Sequence, residues 1–536
     1  MMLLYLLQAC LALLVLCSGM TWLVTTIQFR GAVETSRRAR DKAACPTPTL
    51  PYLVPILGST VAFSSKNVGT FWRYLLSLAH DNNLSATSIV LNGAKVHFIF
   101  SPHAVQDLFR ARGLARFRLD QQLGQNVLGM TREEAIKAFP ADLDAKEVLT
   151  TERIHSEHLL SISGVNTLMK KFTEVLTEQL LGADAPDVDL SIEIDLYQWL
   201  RDHLFRASTI ALCGSRLLEI VPDLSHDFWV WDEGLLSMLF GTPRLFAKDA
   251  YAARDKLVAG LKRWLISGYS ASALDSDIEW EPNFGTRVVR KRHEFYAQQN
   301  LSLDSQAGFD LIFLGGILQN SIPAAGWMLM HLFDPDRRGE RLLEDVLAEL
   351  KTSQQDDGSV DVSRLTALPL LNSVFHEVLR LYIDLLVTRQ VDTTSVLDKW
   401  KVNSGDMVMA PTWMVHRNPD YYSDPDVFDP RRFLTTDPTT GAWVCSTSGY
   451  SGKYFPFGGG HYMCPGRNAA KQEVLVTVAM LLLNFDVELL GYQDKLGFPR
   501  LKRGFAGNVV MGLDGDMKVK LTRRRMQGRP SNAFLT

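Results

Sequence analysis

Beyond Ser59 apolar residues recur at spacings of three and four over most of the chain, and the polar positions between them fall on the opposite face. This period predicts helices over residues 165–181, 251–266, 310–332, 341–351, 366–382 and 468–485. Alternating short pieces at 88–91 and 96–100 read as strands. No internal repeat is visible, and no Pro/Gly/Ser linker beyond residue 60 is long enough to divide domains. The expected fold class is therefore mainly α with a minor β part, in one large domain over 59–536.

The first 29 residues break this pattern, since they contain no Asp, Glu, Lys or Arg. About 20 such residues cross a bilayer's hydrocarbon core, whereas a cleavable signal peptide wants a basic stretch before a shorter apolar run. Residues 1–29 are therefore expected to form a single transmembrane anchor. Arg30, Arg37, Arg38, Arg40 and Lys42 follow it, and cations flanking a span stay cytoplasmic, so the body is expected to face the cytosol. The sequons at Asn83 and Asn300 would then carry no glycan. Between anchor and body, residues 30–58 form a basic, Pro-rich hinge in which Pro46, Pro48, Pro51 and Pro55 forbid a continuing helix. It reads as a stiff spacer holding the body at a set tilt to the membrane.

Composition adds exclusions. Of 536 residues 46% are hydrophobic and 21% charged, as in ordinary globular chains, and 56 basic against 59 acidic residues give a net charge of -3. No basic field exists to attract nucleic acid. The six cysteines are scattered, without a C-x-x-C pair, which fits a reducing compartment and excludes a disulfide scaffold.

Candidate chemistry concentrates at Tyr454-Phe455-Pro456-Phe457-Gly458-Gly459-Gly460-His461-Tyr462-Met463-Cys464-Pro465-Gly466, just before an amphipathic helix. Three consecutive glycines cost chain entropy and imply a sharp turn or a close approach. They would present the Cys464 sulfur near a helix N-terminus, where N–H groups and the helix dipole favour a thiolate, a strong ligand for haem iron. The alternative is a structural cysteine in a glycine-rich turn. The spacing Phe457-x-x-Gly460-x-x-x-Cys464-x-Gly466 resembles the haem-binding loop of the cytochrome P-450 family. That resemblance implies haem as cofactor, with Cys464 as the metal ligand, Phe457 against the haem, Gly460 permitting the bulge and Gly466 letting the next helix start close by. One departure stands out: where the family usually has a basic propionate partner, two before the cysteine, this chain has Tyr462.

Other segments carry the same resemblance. Glu377 and Arg380 stand three apart on a helix whose neighbours are too apolar for solvent, and resemble the family's E-x-x-R signature. Phe428-Asp429-Pro430-Arg431-Arg432-Phe433 resembles its P-E-R-F segment, with Arg432 as third charge of a structural triad. Arg389 occupies the stretch where the family places an arginine against a haem propionate, with a solvent-facing edge-strand arginine as the alternative. His158 is a weaker propionate candidate.

The apolar helix 310–332 is interrupted by Gly315-Gly316 and by Asn320-Ser321-Ile322-Pro323, and Pro323 is expected to kink it beside Asn320 and free a carbonyl. Small and polar residues there suit an oxygen groove, with Asn320 and Ser321 as candidate catalytic residues that relay protons. Asn320-Ser321-Ile322-Pro323-Ala324 with Trp327 departs from the family's usual acid-then-Thr and resembles the branch containing sterol 7- and 12-hydroxylases and prostacyclin synthase. The retained alcohol favours oxygen activation. The resemblance implies a membrane-anchored monooxygenase in the endoplasmic reticulum membrane. It would take O2 as co-substrate, electrons from NADPH through a flavoprotein reductase, and a lipophilic steroid, terpenoid or similar substrate. Lys453, Arg467 and Lys471 are candidate reductase contacts, and Leu235, Leu236, Met238, Leu239 and Phe240 candidate channel or lipid contacts. A haem-thiolate isomerase or dehydratase, and a non-catalytic haem carrier or sensor, are the competing functions.

Overall fold

The charge-free segment begins one helix, Met2–Arg38, in a computed structural model of the chain. The structure describes residues 2–38, 44–64, 68–111, 113–141, 151–182, 190–274, 277–334, 341–355, 359–490, 499–502, 504, 506–507, 509–515 and 517–524. The helix is long and apolar enough to cross a membrane. It runs nine residues past Phe29, and its last turns dock on the body: Phe29 and Val33 are buried, and Tyr52 N donates to Thr25 Oγ1 at 3.3 Å. The Pro-rich stretch is docked as well. Cys45–Pro46 pairs in parallel with Trp400–Val402, and buried Thr47 meets His97 Nδ1 at 2.7 Å, while His97 Nε2 contacts Asp406 at 2.9 Å. These segments therefore brace the N-terminal helix against a sheet.

That sheet has five strands in the order Ala86–Leu91, Ala94–Ile99, Met407–Pro411, Leu386–Val391, Leu114–Ala115. The first two form a hairpin across Asn92-Gly93, both at positive φ, the backbone a tight two-residue turn demands. Antiparallel register sets Arg389 opposite Val408. Burial on alternate residues of Leu386–Val391 sends Val387, Arg389 and Val391 to one buried face.

The remaining bulk is helical. All six predicted helices are present, the first three of them longer than predicted, the fifth starting three residues later and the other two shifted by one residue: Ile162–Leu181, Lys248–Ala271, Leu303–Phe333, Leu342–Thr352, Pro369–Tyr382 and Arg467–Asn484. Capping explains several starts. Ser302 accepts from Ser305 N and Ser161 from Gly164 N, while Pro369 occupies a first-turn position that needs no N–H. Leu303–Phe333 is the central helix, packed among Leu196–Cys213, Lys248–Ala271, Pro369–Tyr382 and Arg467–Asn484. It also passes the length and apolarity test for a span, but most of it is buried in the protein. It continues through Pro323, which therefore does not end it. Two features pin its ends: Asp310 accepts from Tyr296 OH at 2.8 Å and contacts His293 at 2.9 Å, and Trp327 stacks on Tyr382 at 3.8 Å with its indole N–H on the Met511 carbonyl. Buried polar groups satisfied in this way fix helix register as well as adding stability.

Candidate active site

The cysteine loop is folded by its glycines and by what lies beneath it. Gly458 and Gly460 both adopt positive φ, at 73° and 66°. A Cβ on Gly460 would sit 2.2 Å from the Phe109 carbonyl, and one on Gly459 2.4 Å from the Phe109 ring. Glycine at 460 is thus demanded by the helix Pro102–Arg110 under the loop, and Gly460 does not itself line the cavity described below. Phe455 N donates to His416 Nε2 at 3.0 Å and Cys464 N to the Phe457 carbonyl at 3.0 Å, which closes the turn.

Behind the loop lies the triad. Arg380 makes two 2.7 Å bonds to Glu377, Arg432 approaches the same carboxylate at 3.1 Å, and Asp429 N donates to it at 2.9 Å. Glu377 and Arg380 are fully buried, and Arg380 also donates to the carbonyls of His416 and Pro425 at 2.8 and 2.7 Å. Such desolvation is offset only because each charge is bonded. The triad clamps the residues 416–432 to the helix Pro369–Tyr382, and His416 in turn holds the cysteine loop.

Cys464, Phe457, Gly466, Arg389, Asn320 and Ser321 line one cavity of about 670 Å³. The Cys464 thiol is at its floor, where burial pushes its pKa up while the Gly466 and Arg467 N–H groups and the Arg467 guanidinium pull it down. A buried soft donor supplied with N–H groups is suited to a metal that displaces the thiol proton. On one wall Arg389 is buried, its guanidinium over the Tyr462 ring at 4.5 Å, with Nη1 donating to the Thr388 carbonyl at 2.8 Å. Burial and the positive charge of Arg116 lower its pKa to about 10. Arg116 lines the same wall and bonds Asp120 at 2.8 Å. Two guanidiniums against one carboxylate leave this wall positive, which would suit the propionates of a haem held by Cys464.

The central helix forms the opposite wall. Asn320 Nδ2 donates to the Gly316 carbonyl at 3.2 Å and its Oδ1 accepts from Val510 N at 3.3 Å, so its amide straps the helix to residues 509–510. Ser321 Oγ is buried, and among the described residues the polar group that acts with it is the Glu473 carboxyl. Facing it is Glu473, whose carboxylate accepts from Ser208 Oγ at 2.5 Å. Sequence reading missed Glu473, although one acid ahead of the apolar run 474–483 was a visible signal; Arg116 and Ser208 had none.

Two expectations fail and a third holds in part. His158 lies in a separate small pocket with Glu279 and Arg287, outside the main cavity, because its helix turns it toward residues 279–288. Lys471 is half-buried and donates to the Thr366 carbonyl at 3.2 Å, which removes it from a docking face. Of the cluster 235–240, Met238 is plain core, while Leu236, Leu239 and Phe240 line the cavity.

Residues 236–506 match the model of the family described as Cytochrome P450. The chain belongs to the cytochrome P450 family. The relatives of this P450 include a cytochrome P450 monooxygenase of Humicola fuscoatra, 28% identical over 95% of this chain and 93% of the relative. Another is the 5-beta-cholestane-3-alpha,7-alpha-diol 12-alpha-hydroxylase of Sus scrofa, 25% identical over 63% of this chain and 69% of that one. Among solved structures, the cytochrome P450DA heme domain matches with a TM-score of 0.67 and 15% identity, over 91% of this chain and all of that one, which shows the fold. As a P450, the chain is an oxygenase that uses haem iron and O2 with a redox partner.

Proposed function

We propose that this P450 is a membrane-anchored monooxygenase that hydroxylates or otherwise oxidises a lipophilic small molecule of steroid or terpenoid type. The carrying observation is that Cys464 and Ser321 line one largely apolar cavity. Haem bound there supplies oxygen activation, with the thiolate donating electron density. In this reading Cys464 would hold the haem iron through its sulfur, Phe457 and Gly466 would lie against the group, and Gly460 fixes the loop on Phe109. Arg389 and Arg116 hold the propionates in place of the cation absent at 462. Asn320 positions the oxygen groove against residues 509–510, and Ser321 holds and moves a proton there. The apolar side chains of Leu236, Leu239, Val509 and Val510 bind substrate and exclude water.

Electrons come from an NADPH-dependent flavoprotein reductase on the cysteine-loop face, which keeps Lys453 and Arg467 as contacts. The anchor places the body on the cytosolic side of the endoplasmic reticulum membrane. A second apolar surface supports that placement: Leu53, Ile56, Val61, Leu245 and Phe246 are all exposed, and a ring contact between Phe63 and Phe240 at 6.4 Å brings the two segments carrying them together. Similarity to the Sus scrofa 12-alpha-hydroxylase supports the polycyclic class.

The test is the reduced, carbon monoxide-bound spectrum of the full chain, followed by turnover of lipophiles with reductase and NADPH. A thiolate-type spectrum lost in Cys464→Ser, and product that requires NADPH, reductase and O2, are expected. Product formed without them would make the chain an isomerase or dehydratase.

A further inference from the structure

Resting on the monooxygenase reading above, we propose that Gly316 sets the shape of substrate this cavity accepts. Its missing side chain leaves a flat, apolar recess in the wall made by the central helix, and the ligand that fits there is a rigid polycycle lying face-on against the helix. The four glycines of Leu303–Phe333 differ in what surrounds them. A Cβ on Gly308 would sit 2.9 Å from the Leu128 carbonyl, one on Gly326 3.0 Å from the Tyr197 ring and one on Gly315 3.3 Å from the Gln319 amide. At those three positions neighbours leave little or no room for a side chain. A Cβ on Gly316 would meet nothing within 4 Å, and the backbone there is not at positive φ. Glycine inside a helix destabilises it relative to alanine, so neither packing nor backbone conformation gives a reason for glycine at 316.

The cavity gives that reason. Gly316 lines it and is exposed, while Gly315 and Leu318 in the same turn are buried, so the bare backbone of residue 316 opens on the cavity. The opening lies on the substrate side. Gln319, in the same turn, is near enough to Asp232 to act on its carboxyl, which sets this turn beneath Leu224–Leu239, the helix that brings Leu236 and Leu239 to the cavity. No polar group is left over in the recess itself, because the Gly316 carbonyl already accepts from Asn320 Nδ2 at 3.2 Å. Ile317 and Ala324 of the same helix continue the apolar lining.

A recess of this kind selects by shape. Its floor is helix backbone, and the helix is pinned on both sides of it by Asp310 on Tyr296 and His293 and by Trp327 on Tyr382, so the floor does not move aside. A fused-ring face fills it without losing rotamer freedom, whereas a flexible alkyl chain gives that freedom up to lie flat. A side chain at 316 would lift the ring from the helix, and dispersion contacts are forfeited within about an ångström of such a gap. With no charge or free donor at the recess, the ring system it takes is uncharged there. Gly316 is thus a specificity-determining residue, which lets the ring lie on the helix five residues before Ser321.

The experiment uses the full-length, haem-loaded chain and its Gly316→Ala and Gly316→Leu variants. Imidazole, 1-phenylimidazole and a steroid carrying a pyridyl ring are titrated into each, and binding is read from the shift of the haem absorption band. Haem content and the reduced carbon monoxide spectrum should be intact in both variants, and imidazole should bind all three proteins alike. The pyridyl steroid should bind severalfold more weakly to Gly316→Ala and roughly tenfold or more weakly to Gly316→Leu. Without ligand, Gly316→Ala should melt above the wild type, since alanine is the better helix former and its methyl has room. Stability that rises while steroid affinity falls is a pair of changes that a glycine kept for the fold would not give. The proposal is overturned if the steroid loses no more affinity than imidazole in Gly316→Ala. A lowered thermal midpoint or haem content in Gly316→Ala overturns it too, because the space would then serve the fold or the haem. So does a wild type that binds the two small azoles and not the steroid. Should Gly316→Leu fail to fold, Gly316→Ala decides alone. Absence of the thiolate spectrum from the wild type would instead strike the monooxygenase reading.

Discussion

The Arg389 guanidinium carbon lies 4.5 Å from the centroid of the Tyr462 ring, so the residue that stands where this family usually keeps a cation is itself covered by one. The aromatic face holds the guanidinium flat against the loop, and Arg116 adds a second positive charge to the same wall. Positive charge has moved from the cysteine loop to the strand Leu386–Val391 and to the residue just after Leu114–Ala115.

Haem retention should follow that displaced charge. If Arg389 holds a propionate as proposed, Arg389→Ala should remove a charge-assisted bond of about 1.5–3 kcal/mol and weaken haem binding by roughly ten- to a hundredfold. Tyr462→Phe keeps the ring under the cation and should bind haem nearly as the wild type does. Rates of haem transfer to an acceptor apoprotein measure both.

Removing the shared carboxylate of the triad leaves two buried guanidiniums unpaired. Glu377→Ala should cost about 3–5 kcal/mol, read as a lower urea midpoint and as loss of the thiolate spectrum at a temperature the wild type survives. Arg431→Ala is the control, since Arg431 pairs with Asp345 at a half-exposed surface, where such a pair contributes about 0–1 kcal/mol.

Two glycines at nearly equal φ should respond differently. Gly441, at 71°, has open space around a built Cβ, so Gly441→Ala carries only the cost of a left-handed alanine, about 1–2 kcal/mol. Gly460→Ala adds a collision with the Phe109 carbonyl and should displace the loop. Comparing thermal midpoints and haem content of the pair separates backbone strain from steric exclusion.

Asp384 links stability to pH. Burial raises its pKa to about 7, opposed only by the Gly507 N–H, a long 3.4 Å donor, the Trp72 indole and the charge of Arg417. A carboxyl whose folded pKa is raised contributes stability that is complete below its unfolded value near 3.9 and is lost as pH rises through the folded one. Asp384→Asn cannot ionise. The stability of this variant relative to wild type should therefore improve by about 2.5 kcal/mol between pH 5 and pH 8, measured as the difference in thermal midpoint at the two pH values.

Helix periodicity and the spacing around Cys464 made the fold and the floor of the site readable, because both depend on local chemistry: an apolar stripe, a cap, a glycine turn. The triad was readable for the same reason, Glu377 and Arg380 being one helical turn apart. What could not be read depends on pairs far apart in sequence. Arg116 meets Arg389 only through the pairing of Leu114–Ala115 with the strand carrying Arg389, and Glu473 meets Ser208 across 265 positions. Asn320 was read as a relay, whereas in the fold its amide is engaged at both ends by Gly316 and Val510. His158 was misplaced because one helical turn decides which pocket a side chain enters, and periodicity does not resolve that on a short amphipathic helix.

The apolar surface made by residues 53–61 and 245–246 should enter lipid beside the anchor. Phe246 is 77% and Ile56 72% exposed, a cost in water that burying apolar area repays at about 25 cal/mol per Å². In full-length protein reconstituted into nanodiscs, a polarity-sensitive fluorophore on Phe246→Cys should shift to the blue. The same label on Val427→Cys, an exposed apolar position in the segment clamped by the triad, should report water. Leu245→Ser with Phe246→Ser should leave the soluble-phase carbon monoxide spectrum intact, because neither residue lines the cavity. It should weaken turnover of a substrate delivered from vesicles more than turnover of one delivered from detergent. Equal losses by both routes would mean that this surface does not feed the cavity from the bilayer.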